Sequence, residues 1–369
     1  MFSELFFPYV LGGGERQFFE LARRLAKKHE VHVYTMSLEG AKKYQVYEGI
    51  HIHRLGFLKH PLHERSLLPL ITYFLSSFFR RVSADVIHTN TYLPCISGYF
   101  KAKVSGKPIV ATIHDVYRGV WGETMGHRIL GSIGNSIENI VCRLNYDRII
   151  SVSSATKRAL MRYFDVPGEK INVIPNGIDI RLIDSIKVRG VKNKICYVGR
   201  LIPHKHVDEL IRAINLVKKS LPNIECDIIG GGFLRDDLEK LVKKLGLEDN
   251  VKFLGVLPSN EDALKVMKSS EVFVMPSTRE GFGIAVLEAM RCGCVPIAYK
   301  QKCYDDFCTK KNSLLLNRGV YNLSKAIVGL LKNKKKVVSM RKDGFNTAGR
   351  FGWDTIVKDV ENIYWNVVE

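Results

Sequence analysis

Val272-Phe273-Val274-Met275-Pro276-Ser277-Thr278-Arg279-Glu280-Gly281-Phe282-Gly283-Ile284-Ala285-Val286-Leu287-Glu288-Ala289-Met290 reads as an apolar strand, a glycine-bearing turn and a helix. That succession is the repeating unit of a parallel α/β sheet. Gly281 and Gly283 let backbone N–H groups come close to a ligand, and the tip of the following helix favours a phosphate. Glu280 stands ahead of the helix, while Glu288 lies about one and a half turns inside it. Helical side chains lean toward the N-terminus, so Glu288 can reach back to a ligand held there. Two carboxylates so spaced can accept hydrogen bonds from sugar or ribose hydroxyls. Leu287, Ala289 and Met290 flank Glu288, which argues against an idle, solvated role for it.

The same alternation extends in both directions. Strands are expected at Ile195–Val198, Glu225–Ile229, Val251–Leu254 and Val295–Ala298 in the second half. In the first half they are expected at Val31–Tyr34, Asp85–His88, Ile109–Ile113 and Arg148–Val152, with a first helix running through Leu25. Asp115 and the Ser153-Ser154 pair fall just past strand ends, where such sheets place ligand-facing loops. Pro167-Gly168 and Pro175-Asn176-Gly177 punctuate the middle, so a hinge is expected near residues 168–185. The last stretch, Trp353 to Val367, reads as an amphipathic helix with Trp353, Ile356, Val360, Ile363 and Tyr364 on one face.

Several strand ends carry polar chemistry. Tyr197-Val198-Gly199-Arg200-Leu201-Ile202-Pro203-His204-Lys205 ends a strand at a glycine and places Arg200 and Lys205 on the loop beyond it. A guanidinium fork and an ammonium suit a diphosphate, and idle cations are disfavoured near a helix start. Gly12-Gly13-Gly14-Glu15 opens the first helix, and His88 and His114 are expected at strand C-termini. Ile228-Ile229-Gly230-Gly231-Gly232 is a strand-to-helix turn without the Gly-x-Gly-x-x-Gly spacing, and no Gly-x-x-x-x-Gly-Lys-Ser/Thr occurs. A nicotinamide-dependent oxidoreductase and a P-loop ATPase are therefore disfavoured.

Composition bounds the rest. A chain of 369 residues, 46% hydrophobic, has material for two cores. A net charge of +19 favours polyanionic partners, either phosphorylated small molecules, an anionic membrane or nucleic acid. The excess is spread over both halves, which argues against a dedicated nucleic-acid patch. Eight cysteines include no Cys-x-x-Cys pair; Cys292, Cys294, Cys303 and Cys308 fit no structural zinc spacing and are expected as reduced, buried thiols. Met1–Val10 is apolar but lacks a basic start and a small-residue cleavage site, a poor signal peptide. Leu67–Phe79, followed by Arg80 and Arg81, is too short to span a bilayer and is interrupted by Pro69, so a core or interfacial helix is expected.

Taken together, the segments resemble retaining glycosyltransferases of family 4, which have the GT-B fold. The resemblance rests on Gly-Gly-Glu (13–15), Asp-Val-Ile-His (85–88), Thr-Ile-His-Asp (112–115), Ser-Val-Ser (151–153), Ile-Pro-Asn-Gly-Ile-Asp (174–179) and Val-Gly-Arg-Leu (198–201). Ile-Gly-Gly-Gly (229–232), Phe-Leu-Gly (253–255) and Glu-x7-Glu (280–288) complete it. It implies an α/β architecture of two Rossmann-like parallel-sheet domains facing across a cleft. Residues 1–170 plus 350–369 would form the acceptor-binding domain and residues 171–349 the nucleotide-sugar donor-binding domain.

The resemblance also assigns roles. Arg200 and Lys205 would hold the donor diphosphate, Glu288 the ribose and Glu280 the transferred sugar, with Gly281 in the same turn and the amides of Phe282 and Gly283 helping. Gly13 and Gly14 would approach the phosphates, and His114 would contact the sugar or the reacting centre. The donor, UDP- or GDP-linked, is a substrate, and neither cofactor nor metal ion is expected. The acceptor would be a glycan or a lipid-linked glycoconjugate, reached from the cytoplasm with peripheral contact at the inner, anionic membrane face; nucleic acid is not an expected partner. The alternative reading is a non-catalytic polyanion- or nucleic-acid-binding protein, or an inactive partner subunit of the same fold. The sequence departs from the family at three places. Residues 1–4 read as the end of a longer first strand, and Asn90 stands where a second His often follows His88. Lys300-Gln301-Lys302-Cys303-Tyr304-Asp305-Asp306 replaces an expected Gly-Gly and Glu.

Overall fold

The computed structural model describes residues 1–8, 12–60, 67–122 and 128–369. The chain divides into two compact units: unit 1 is Met1–Asn176 with Asp354–Glu369, and unit 2 is Gly177–Trp353. Each is an α/β body with its own sheet, and the last two residues of the apolar Met1–Val10 segment lie outside the described residues.

Unit 2 holds six strands: β9 (Lys194–Val198), β10 (Glu225–Ile229), β11 (Val251–Gly255), β12 (Val272–Met275), β13 (Val295–Tyr299) and β14 (Leu314–Leu316). All are parallel and lie in the order β11-β10-β9-β12-β13-β14. Strands of such a sheet are covered on both faces and so read as unbroken apolar runs. β12 and β13 are buried at every position. The order reverses between β9 and β12. Open α/β sheets bind ligands beyond the carboxyl ends of the strands at such a switch point. Arg200 follows β9 and Glu280 follows β12, so the fold alone brings these two loops side by side.

Unit 1 holds an eight-stranded sheet ordered β3-β4-β2-β1-β5-β6-β7-β8. Its strands are β1 (Phe2–Ser3), β2 (Val31–Leu38), β3 (Tyr44–Tyr47), β4 (Ile50–His60), β5 (Ile87–Asn90), β6 (Ile109–Ile113), β7 (Arg148–Ser151) and β8 (Ile171–Val173). All pairs are parallel except the β3–β4 hairpin. Helix Gly13–Leu25 starts and stops where the glycine turn and Leu25 indicate. Helix Trp353–Val368 buries Ile356, Val360 and Ile363, and its Glu361 and Tyr364 bond to His29 and His88 of unit 1.

The structure corrects three expectations. β5 begins and ends two residues later than Asp85–His88, so His88 is its second residue, not its last. The His88 ring is buried inside unit 1 between the Tyr364 hydroxyl (Nδ1, 2.5 Å) and Thr112 Oγ1 (Nε2, 2.7 Å). Pro69 does not interrupt helix Leu67–Phe79 but occupies its first turn, where the missing N–H would have no helical partner. Ser153, expected toward a ligand, is buried and caps helix Ser154–Phe164 by accepting the Thr156 N–H at 3.1 Å. No helix among the described residues is long and apolar enough to cross a membrane.

Candidate functional site

The loop after β9 is fixed by the glycine turn after β10. The Gly199 N–H donates to Ile229 O (3.0 Å) and the Leu201 N–H to Gly231 O (2.8 Å). Gly230 permits this lacing: its φ is +128°, and a Cβ there would lie 2.0 Å from Gly199 O. The Tyr197 hydroxyl closes the loop from beneath by donating to Arg200 O at 2.9 Å. Arg200 is thereby held at its backbone while its side chain stays exposed.

Lys205 ends the short turn Pro203–Lys205, and that turn is bonded to the loop after β12. The Thr278 N–H donates to His204 O at 2.9 Å, and the Ser277 hydroxyl reaches the same oxygen at 3.2 Å. This brings Lys205 Nζ to 2.6 Å from Glu280 Oε1, both side chains largely shielded from solvent. His204, next to Lys205 in the chain, is held neutral, its pKa pushed down to about 4 by burial and by the Lys205 charge.

Gly283 caps helix Ile284–Arg291 at φ +98°, a conformation that glycine adopts without strain. Phe282 is buried, and Glu288 is buried inside that helix at 4% exposure. The structure thus joins Arg200, Lys205, Glu280, the Gly281–Gly283 turn and Glu288 around the switch point of one sheet. Two cations and two carboxylates there can bind a diphosphate and the hydroxyls attached to it. Lys205 and Glu280, expected on different parts of a donor, contact each other directly.

Gly13, Gly14 and His114 belong to unit 1 and form a separate group. His114 lies just past β6, and a Cβ on Gly14 would sit 3.2 Å from its ring. His114 Nε2 bonds to Asn90 Oδ1 at 2.7 Å, so with the amide oxygen accepting, Nε2 carries the proton. Burial pushes the His114 pKa down to about 4, leaving it a neutral hydrogen-bonding group. Asn90, where the family often has a second His, is therefore the partner that sets the His114 tautomer.

Two residues of the site make contacts that no local spacing in the sequence gives away. Glu209 accepts from the Tyr299 hydroxyl (2.5 Å) and Arg318 Nε (2.7 Å) and lies 3.6 Å from His206, binding the residue after Lys205 to the ends of β13 and β14. Its position in the first turn of helix Val207–Lys218 signals only a dipole role. Tyr304, in the turn Lys302–Asp306 after β13, is fully buried. Its ring lies so close to Gly283 that a Cβ there would meet Tyr304 Cε1 at 2.4 Å. The cysteines are all free, and among the described residues no group of three or more His, Cys, Asp or Glu is arranged to hold a metal ion.

Residues 181–347 match the family profile described as Glycosyl transferases group 1, and residues 11–182 match Glycosyltransferase Family 4. An uncharacterized glycosyltransferase of Methanocaldococcus jannaschii is 29% identical over 309 residues, covering 78% of this chain and 76% of the relative. A phosphatidylinositol N-acetylglucosaminyltransferase chain of Arabidopsis thaliana is 26% identical over 308 residues, covering 81% of this chain and 66% of the relative. Among solved structures, HepE of Anabaena, crystallised with UDP and glucose, has a TM-score of 0.76 at 19% identity, covering 99% of this chain and 98% of that one.

Proposed function

The chain belongs to the group 1, family 4 glycosyltransferases, and on that premise we propose that it transfers a sugar with retained configuration from a UDP- or GDP-linked donor to a glycan or lipid-linked acceptor. The observation that carries this reading is the convergence of Arg200, Lys205, Glu280 and Glu288 on the β9/β12 switch point, tied by the Lys205–Glu280 contact.

In this reading unit 2 binds the donor. Arg200 and Lys205 take the diphosphate, Glu288 the ribose, and Glu280 the sugar beside the Phe282 and Gly283 amides. The anomeric carbon–phosphate oxygen bond breaks as the acceptor oxygen bonds to the same face of the sugar. The departing diphosphate takes the acceptor's proton. Negative charge grows on the leaving phosphate, and the two cations stabilise it there, so positioning and electrostatics supply the rate. Neutral His114 serves as a hydrogen-bonding group, not as a cation. The UDP and glucose bound to HepE and the phosphatidylinositol in the name of the Arabidopsis relative accord with a UDP-sugar donor and a lipid-linked acceptor.

A membrane-linked acceptor, with the protein working at an anionic membrane face, is supported by helix Leu67–Phe79. Its outward stripe is Leu68, Ile71, Leu75 and Phe79, exposed by 63, 50, 48 and 86%, whereas Thr72, Tyr73 and Ser77 face inward. Phe57 and Leu58 of β4 are also exposed, and Arg80 and Arg81 follow the helix. Contiguous exposed apolar residues beside cations fit an anionic interface.

Thermal-shift screening against UDP-, GDP- and ADP-sugars tests the proposal. Stabilisation by one nucleotide series is expected. No response to any of them, together with salt-sensitive binding to nucleic acid, would favour the polyanion-binding alternative.

A further inference from the structure

Tyr304 carries an unexplained hydroxyl. The side chain is fully buried, yet its phenol oxygen has no hydrogen-bond partner among the described residues. A buried hydroxyl without a partner destabilises the fold, and a Phe in its place would avoid that cost. The ring is locked between Gly283, at the tip of the site helix, and Phe307, whose centroid is 5.9 Å away. Burial raises the phenol's pKa, and the Glu280 carboxylate, three residues before Gly283, raises it further. Tyr304 thus sits against the turn that follows β12, in the stretch where the sequence leaves the family pattern.

Lys205 is committed to Glu280 in this structure, yet in the proposed reaction it turns to a diphosphate. A doubly charged phosphate competes well for an ammonium, and the exchange would leave the Glu280 carboxylate short of a donor. Building on the glycosyltransferase reading above, we propose that Tyr304 is a positioning residue: as Lys205 moves to the donor diphosphate, the Tyr304 hydroxyl donates to Glu280 and holds that carboxylate toward the transferred sugar. The orphaned hydroxyl is then a partner held in reserve, and its cost is recovered when the donor engages.

The test is Tyr304→Phe, studied by calorimetric titration with UDP and UDP-glucose, and with the GDP and ADP pairs should UDP not bind. Because UDP and UDP-glucose both carry the diphosphate that draws Lys205 from Glu280, the expected result is a melting temperature at or above wild type and weaker binding of both, with UDP-glucose losing five- to tenfold more than UDP. In a Glu280→Ala background the same substitution should change neither affinity. A Tyr304→Phe protein with an unaltered ratio of the two affinities overturns the proposal, as does a lowered melting temperature, which would mean that the hydroxyl is already satisfied. A wild-type protein that binds none of the nucleotides sinks the donor-site reading itself, whereas normal UDP binding with an unaltered ratio sinks only the role of Tyr304.

Discussion

Lys205 Nζ and Glu280 Oε1 lie 2.6 Å apart although 75 residues separate them in the chain. With side chains only 11 and 14% exposed, neither charge is well solvated by itself. Removing one partner leaves the other shielded and unpaired, which costs about 1–3 kcal/mol or more. Lys205→Met and Glu280→Gln should each lower the melting temperature by several degrees, at about 2–4 °C per kcal/mol for a body of this size. The double variant should recover much of the loss. Additive losses in thermal melts would contradict a direct pair.

Gly283→Ala should destabilise unit 2. An alanine at φ +98° is strained by about 1–3 kcal/mol, and its methyl would press on the Tyr304 ring. The Gly283→Ala/Tyr304→Ala pair should lose less than the sum of the singles, as urea midpoints can show. Strict additivity would place the ring elsewhere.

Acid should destabilise the protein through buried, neutral histidines. Burial lowers the His88 pKa from 6.5 to about 3, and His114 and His204 fall to about 4. Because each folded pKa is depressed, the unfolded chain takes up the proton first. The stability is fully present above pH 6.5 and drains as pH falls toward the folded values. From pH 7 to 5, His88 alone should account for about 2 kcal/mol. His88→Gln, which cannot take up the proton, should shrink the difference between urea midpoints at the two pH values; an undiminished difference would refute the assignment.

The outward apolar stripe predicts membrane association. Wild-type protein should float with phosphatidylglycerol vesicles at low salt and much less at high salt, where surface charge is screened. Leu75→Glu/Phe79→Glu should reduce flotation more than tenfold, since burying each side chain is worth about 1.5–3 kcal/mol. No association of the wild type at low salt would count heavily against a membrane-linked acceptor.

Much of this was legible in the sequence, for a physical reason. Strands such as Val272–Met275 are covered on both faces, so they read as unbroken apolar runs whatever packs on them. Glycines such as Gly230 and Gly283 mark turns because backbone geometry admits little else there. What stayed hidden depends on distant contacts. Strand β3 is exposed at Tyr44, Val46 and Tyr47, so it lacks an inward apolar signature. The start of β5 is ambiguous because Val86 and Ile87 fit either register. The direction in which helix Leu67–Phe79 turns its apolar side, and the seat of Tyr304 against Gly283, belong to packing between separate segments. No local spacing encodes either.

Arg200, Lys205 and Glu288 together form the proposed nucleotide-sugar site. Its most direct measurement is isothermal titration of wild type, Arg200→Ala, Lys205→Ala and Glu288→Ala with UDP and GDP, alongside circular dichroism to check folding. A charged hydrogen bond is worth about 1.5–3 kcal/mol, so each substitution should weaken the preferred nucleotide about tenfold or more with the fold intact. Equal affinity in all four proteins would contradict the site.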